Sequence, residues 1–246
     1  MALKKELKEQ GEWLFRWRSY LPLLLAILFL AAFSSYESPF SNPLLDRIWE
    51  LFCLSVSFVG LGIRIITIGY APFGTSGRNT GGQVAEVLNT TGMYSLVRHP
   101  LYLGNFIIWF GISLFLRLWW LSLITTLIFW LYYEKIMYAE EDFLEQKFGD
   151  AFREWAKKTP AFVPNFGNWT TPTISFSFRT AIRREYSGFF AIIATFTGLD
   201  IISEIYLHGR IHLDPMWLKI FAVGLIIYLT LRVLKKRTRI LHVEGR

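Results

Sequence analysis

The sequence predicts an all-α membrane protein, a polytopic bundle of about six transmembrane helices with both termini in the cytoplasm. Three observations carry that expectation. The 246 residues are 53% hydrophobic and 17% aromatic, with ten tryptophans, which is more apolar surface than one soluble domain usually hides. Apolar residues gather into stretches at about 19–36, 48–70, 100–116, 118–138, 187–207 and 214–234, each near the roughly 17 to 25 residues a helix needs to cross hydrocarbon. Lys and Arg are unevenly shared among the connections: twenty lie on the side of the termini and three, Arg47, Arg117 and Arg210, on the other. That bias places the termini inside, in a cytoplasmic or inner membrane.

Taken in order, residues 1–47 hold a charged segment, "MALKKELKEQGEWLFRWRS", and a first span. No small-residue cleavage site follows it, so the span reads as a retained helix rather than a signal peptide. The second span contains Cys53, the only cysteine, which rules out an intrachain disulfide or a cysteine-based metal site. A glycine-rich loop at 71–83 reads as irregular. The third and fourth spans form a tight hairpin, because from Leu101 to Tyr133 the only charge is Arg117, where the chain must turn. From 132 to 164, Phe143, Leu144, Phe148, Phe152 and Trp155 recur at helical spacing among charged residues. This stretch predicts an amphipathic helix on the membrane surface, ended by Pro160 and Pro164. A polar connector at 165–178 leads to two further spans, so the chain divides into 1–47, a core at 48–164, and 165–246. The net charge of +7 needs no nucleic acid, since basic flanks of spans are attracted to anionic headgroups.

The stretch "TTGMYSLVRHPLYLGNF", residues 90–106, sets Arg98, His99 and Pro100 against the start of the third span. Singly they read blandly: Pro100 suits a first helical turn, Arg98 a headgroup anchor, His99 a cap. Together they predict more. The helix N-terminus offers unsatisfied N–H groups and partial positive charge, and Arg98 adds a full charge. Across the hairpin, Glu134, Glu140 and Glu141 bring negative charge to the same end. A bipolar site results, suited to a small cytosolic ligand that carries both signs.

"GMYSLVRHPLYLGNF" followed by "AEEDFLEQKFGDAFREWAKKTPAFVP" resembles the signature of the isoprenylcysteine carboxyl methyltransferase and phospholipid methyltransferase superfamily, over roughly residues 60–164. The resemblance implies an integral membrane enzyme that uses S-adenosylmethionine to methylate a membrane lipid or lipidated acceptor, with its site facing the cytoplasm. It implies that His99 and Tyr102 line the cofactor site, with Tyr94 and the turn containing Leu88, Thr90, Thr91 and Gly92 nearby, and that Glu140 with Glu141 closes the other wall. Arg64 falls where the carboxyl methyltransferases carry an arginine important for activity; an intramembrane arginine is costly, which favours function, the alternative being a side chain that snorkels to the cytoplasmic interface. Arg64, Arg98, Tyr102 and Glu140 are thus the expected catalytic group. One departure concerns the acceptor: a second arginine expected about four residues before the paired Glu is Ile136 here, with Lys135 adjacent. Arg64 and Lys135 are the expected acceptor-binding residues.

A sulfonium methyl is already electrophilic, so alignment and exclusion of water suffice, and no metal is required. An anionic oxygen acceptor would be positioned by Arg64, Arg98 or Lys135. An aminophospholipid acceptor would instead use Glu140 or Glu141. The number of basic residues favours the oxygen acceptor slightly. Gly60 and Gly62 form a G-x-G inside a span, which reads as helix packing rather than a nucleotide loop. His208, His212 and Asp214 form a weak metal pattern, set aside on its loop position. Asp200 and Glu204 share one helix face near the outer end of the fifth span. They support the rival reading, a non-enzymatic small transporter or assembly protein.

Overall fold

The computed structural model describes residues 2–18, 20–36, 42–72, 85–211 and 213–243, without the side chains of 21–24. Most of the glycine-rich loop and His212 therefore lie outside the described residues. Every regular element among the described residues is helical: α1 (Ala2–Trp17), α2 (Leu21–Ala32), α3 (Pro43–Gly69), α4 (Met93–Leu96), α5 (Pro100–Leu114), α6 (Trp119–Phe148), α7 (Asp150–Lys158), α8 (Phe178–His208) and α9 (Pro215–Arg237). The all-α membrane bundle is borne out.

Three helices, α3, α8 and α9, are long and apolar enough to cross a membrane by length and composition. The other three expected spans differ in form. The first, expected at 19–36, holds the 12-residue α2, with the charged segment before it forming a helix of its own, α1, and α5 has 15 residues, about 22 Å against a hydrocarbon core of about 30 Å. Trp, Tyr and Thr dilute the apolar half of α6, and the helix runs on for 30 residues through Glu140 and Glu141. The expected surface helix over 132–164 is accordingly not one element. α6 absorbs its first half and stops at Gly149, whose φ of 54° cannot continue a helix. Only the short α7 follows.

α3 and α5 form the central antiparallel pair. A Cβ at Gly104 would stand 2.8 Å from the Gly60 carbonyl oxygen, and one at Gly111 would strike Ser57 and the Cys53 carbonyl. In lipid, where apolar burial gives helices little reason to associate, such close backbone approach is what holds them. Ser57 Oγ donates to the Ile108 carbonyl at 3.0 Å and Trp49 Nε1 to that of Leu114 at 3.0 Å, adding two ties along the seam. Gly60 therefore has the packing role expected of it. Gly62 meets nothing within 4 Å.

The α5–α6 hairpin turns at Arg117, as expected. Arg117 has φ 60°, a conformation that costs a non-glycine residue about 1 kcal/mol. It is held by a 2.8 Å ion pair with Asp46. α1 lies along the last turns of α6, where Gly11 lets its backbone approach the Lys135 carbonyl. Lys8 pairs with Asp142 at 2.7 Å, and the Tyr132 hydroxyl donates to the Leu14 carbonyl at 2.9 Å. α8 packs on α3 and α9 on α8, with Phe196 stacked on the buried Trp217.

Candidate active site

The predicted residues meet where the C-terminal ends of α3 and α6 come beside the N-terminal ends of α5 and α8. His99 is the residue before α5 and Pro100 opens the helix, as expected, but the imidazole does not cap it. The side chain is 4% exposed and turns across to α6, with Nε2 2.8 Å from Glu141 and Nδ1 3.4 Å from Glu140. The Tyr102 ring stacks beside it at 5.7 Å, and the Tyr102 hydroxyl hydrogen-bonds to Glu140. Tyr133 continues the aromatic row at 4.8 Å from Tyr102.

Arg98 fills the expected anion corner from within the chain. Nε and Nη2 donate to the two Glu141 oxygens at 2.8 and 3.1 Å, while Nη1 donates to the carbonyls of Ala156 and Thr159 at 2.9 and 2.8 Å. A guanidinium fork with four bonds of this kind is committed to structure. It ties α6, α7 and the segment before α5 into one unit.

These contacts set the ionisation of the pair, which lies beyond the apolar part of α6. Burial lowers the affinity of His99 for a proton, but the Glu140 and Glu141 carboxylates outweigh it and hold the imidazole above its ordinary range. Burial likewise works against the charged form of Glu141, and His99 with Arg98 overcomes it, keeping the carboxyl below its ordinary range.

The turn preceding α4 is built into the same unit. Gly92, with φ 61°, donates its N–H to the Thr170 carbonyl at 2.8 Å, and Asn165 N–H donates to that of Leu96 at 2.9 Å. Arg98 N–H reaches the Pro160 carbonyl at 2.9 Å. The connector after α7 is thus antiparallel lacing along 92–98, more than a link to the last spans. Leu88, Thr90 and Thr91 are half-buried beside it. Tyr94 is half-buried too; desolvation pushes its hydroxyl up, and Glu140, Arg184 and Arg64 lie within electrostatic reach.

Arg64 stands one layer deeper. Nε and Nη2 donate to the two oxygens of Glu185 at 2.8 and 2.7 Å, and Nη1 donates to Asn105 Oδ1 at 2.6 Å. Asn105 Nδ2 reaches the Tyr133 hydroxyl at 3.5 Å, the outer limit for such a bond. Lys135 goes elsewhere: Nζ donates to Gln10 of α1 at 2.7 Å. Glu134 is exposed. Ile136 is fully buried with Tyr133 and Met137, so that position supplies apolar wall where a second arginine was expected.

Sequence reasoning missed Glu185, Asn105 and Tyr133. Glu185 sits beside Arg183 and Arg184 in "IRREYSG", where it looks like part of a charged flank. Asn105 and Tyr133 are polar groups within apolar stretches, a signal that was there to use. The donor set suits a ligand of mixed charge. Glu140 lies beside His99 and Tyr102, and Tyr133 adjoins Tyr102, so a carboxylate and aromatic rings, both of which attract cations, stand together.

Residues 51–151 match the family described as phospholipid methyltransferase. The cobalt-zinc-cadmium resistance protein CzcN of Cupriavidus metallidurans is 28% identical over 188 residues, 73% of this chain and 79% of that protein. The protein-S-isoprenylcysteine O-methyltransferase of Schizosaccharomyces pombe is 35% identical over 79 residues, 32% of this chain and 34% of that one. The nickel-cobalt-cadmium resistance protein NccN of Alcaligenes xylosoxydans is 35% identical over 106 residues, 42% and 47% of the two chains. The chain thus spans less than half the length of these last two relatives. No solved structure matches it.

Proposed function

We propose, from the premise that residues 51–151 belong to the isoprenylcysteine and phospholipid methyltransferase superfamily, that this chain transfers a methyl group from S-adenosylmethionine to a lipid or lipid-attached acceptor. The observation that carries the reading is the meeting of His99 and Tyr102 with Glu140 and Glu141, pairs some forty residues apart in sequence, in one buried polar cluster.

S-adenosylmethionine, when bound, supplies a methyl group that is already electrophilic. The chain's own part is to bind, orient and exclude water. Glu140 and the Tyr102 ring hold the cationic portion of the cofactor, with Tyr94 and the Leu88–Gly92 turn at its edge. His99, Arg98 and Glu141 fix that wall. Of the basic residues that favoured an oxygen acceptor, Arg98 is committed to Glu141 and two carbonyls and Lys135 to Gln10. The case for an oxygen acceptor then rests on Arg64, and the isoprenylcysteine relatives are named O-methyltransferases. An amine would meet Glu140 instead. The lysine and arginine bias supports a cytoplasmic opening for the site.

The test is calorimetric binding of S-adenosylhomocysteine to the detergent-purified protein, beside His99→Ala and Glu140→Ala. Micromolar binding by the wild type, lost in both variants while each still melts cooperatively, is the expected result. A folded wild type that does not bind would overturn the reading and move attention to Asp200, whose Oδ2 is buried without a hydrogen-bond partner among the described residues.

A further inference from the structure

α8 lies outside residues 51–151, yet it sends one side chain into the site. Glu185 is 3% exposed and gives both its oxygens to Arg64 of α3. An arginine has five N–H donors in a rigid plane. Among the described residues, Glu185 takes two of them and Asn105 a third, which fixes the plane and leaves two uncommitted, one on each Nη nitrogen.

The posture has been given room. A Cβ on Gly104 would stand 2.6 Å from Arg64 Cγ, so the glycine that lets α5 approach α3 also lets the arginine stem lie between them. An unpaired guanidinium at this depth would be drawn toward water at the helix end. The carboxylate of Glu185 removes that pull and keeps Arg64 within reach of the Tyr94 and Glu140 side of the cluster.

We propose that Glu185 is a positioning residue of the methyl-transfer site, holding the Arg64 guanidinium in the orientation that leaves its two Nη hydrogens for an acceptor oxygen. This rests on the methyl-transfer reading. It assigns the C-terminal helix pair a part in the chemistry: α8, braced by α9, supplies the carboxylate that sets the acceptor-side arginine. Glu185 itself touches neither acceptor nor cofactor.

The exchange Arg64→Glu with Glu185→Arg tests it, because it keeps an ion pair between α3 and α8 while moving the cation off its position. Membranes of cells producing each variant are incubated with S-adenosylmethionine carrying a tritiated methyl group, and label is counted in the lipid and protein fractions. Melting temperature and S-adenosylhomocysteine affinity are measured on the purified proteins. The expected result is a melting temperature within a few degrees of wild type, affinity within about threefold, and methyl incorporation reduced at least tenfold. Glu185→Gln, which keeps the volume and one acceptor oxygen, should bind S-adenosylhomocysteine normally and lose transfer by a similar factor, and it decides the matter if the exchanged protein fails to fold. Wild-type incorporation in the folded variants would make the pair a purely structural tie and overturn the proposal alone. No label from the wild type above cells lacking the chain would overturn the methyl-transfer reading and this proposal with it.

Discussion

Both ends of the bundle hold an ionic network on the same two long helices, α3 and α8, and the two are built on different plans. At the far end the charges sit at helix termini and short turns. Asp214 caps α9 through Met216 and Trp217 and pairs with Arg47 at 2.7 Å, Glu50 accepts from Trp217 Nε1 at 3.0 Å, and Asp46 holds Arg117. Asp200 is 8% exposed there, and its Oδ2 has no partner among the described residues. At the His99 end the carboxylates of Glu185 and Glu141 are matched by Arg64, Arg98 and His99, and a row of tyrosines lies against them. The far end has the character of a clasp that closes helix ends. The His99 end is a buried polar cluster, its charges matched and set against aromatic rings.

The contrast can be broken most severely at Glu185. Glu185→Ala leaves Arg64 buried beside no carboxylate and should cost about 3 to 5 kcal/mol, the usual penalty for breaking a buried ion pair from one side. Denaturation in mixed micelles would read it directly, and a loss under about 1 kcal/mol would mean Arg64 reaches water on its own.

The far end should respond in two directions. Asp214→Ala removes a helix cap and a partly exposed ion pair and should cost about 1 to 2 kcal/mol. Asp200→Asn should leave stability unchanged or raise it by up to about 1 kcal/mol, because it removes a buried carboxylate with an unmatched oxygen. A marked loss from Asp200→Asn in the same denaturation series would show that the charge is used, and the clasp description would fail.

A smaller effect separates the ends by pH. His99 is held above its ordinary value of 6.5, so its contribution to stability is complete below that value and is lost as pH rises through the raised one. Glu141 is held below its ordinary 4.5, so its contribution is complete above that value and is lost as pH falls through the lowered one. Melting temperature followed from pH 4 to 9 should be flattest between those ordinary values, and His99→Gln should remove the decline on the alkaline side and weaken the one on the acid side, because His99 helps Arg98 hold Glu141 down. The least effect belongs to Lys135→Met, expected within about 0.5 kcal/mol for a single surface-type contact to Gln10. S-adenosylhomocysteine affinity should not change; a tenfold loss of affinity in that variant would return Lys135 to the site.

Much of the site was legible in the sequence. The hairpin argument brings Arg98 and His99 to the same end as Glu140 and Glu141, and the structure places these side chains 2.8 to 3.4 Å apart. Less legible was what each charge is for. Arg98 looked like a host for an outside anion, and its anion is Glu141. Lys135 looked like an acceptor residue, and it faces α1. Glu185 looked like solvated flank, and it is the most buried carboxylate of the site.

The amino-acid sequence by itself determined the helices, their apolar stretches, the turn at Arg117 and the sign of charge gathered at one end. These are properties of composition and spacing along a single chain, and lipid leaves the backbone few alternatives to helix. Only the tertiary structure decided the partners. Which carboxylate meets which arginine depends on how far one helix is rotated and slid against the next, and that is set by the glycine contacts of α3 with α5 and the lacing of 92–98 with 160–170. A shift of one turn, about 5.4 Å, would exchange every partner without altering a single apolar stretch.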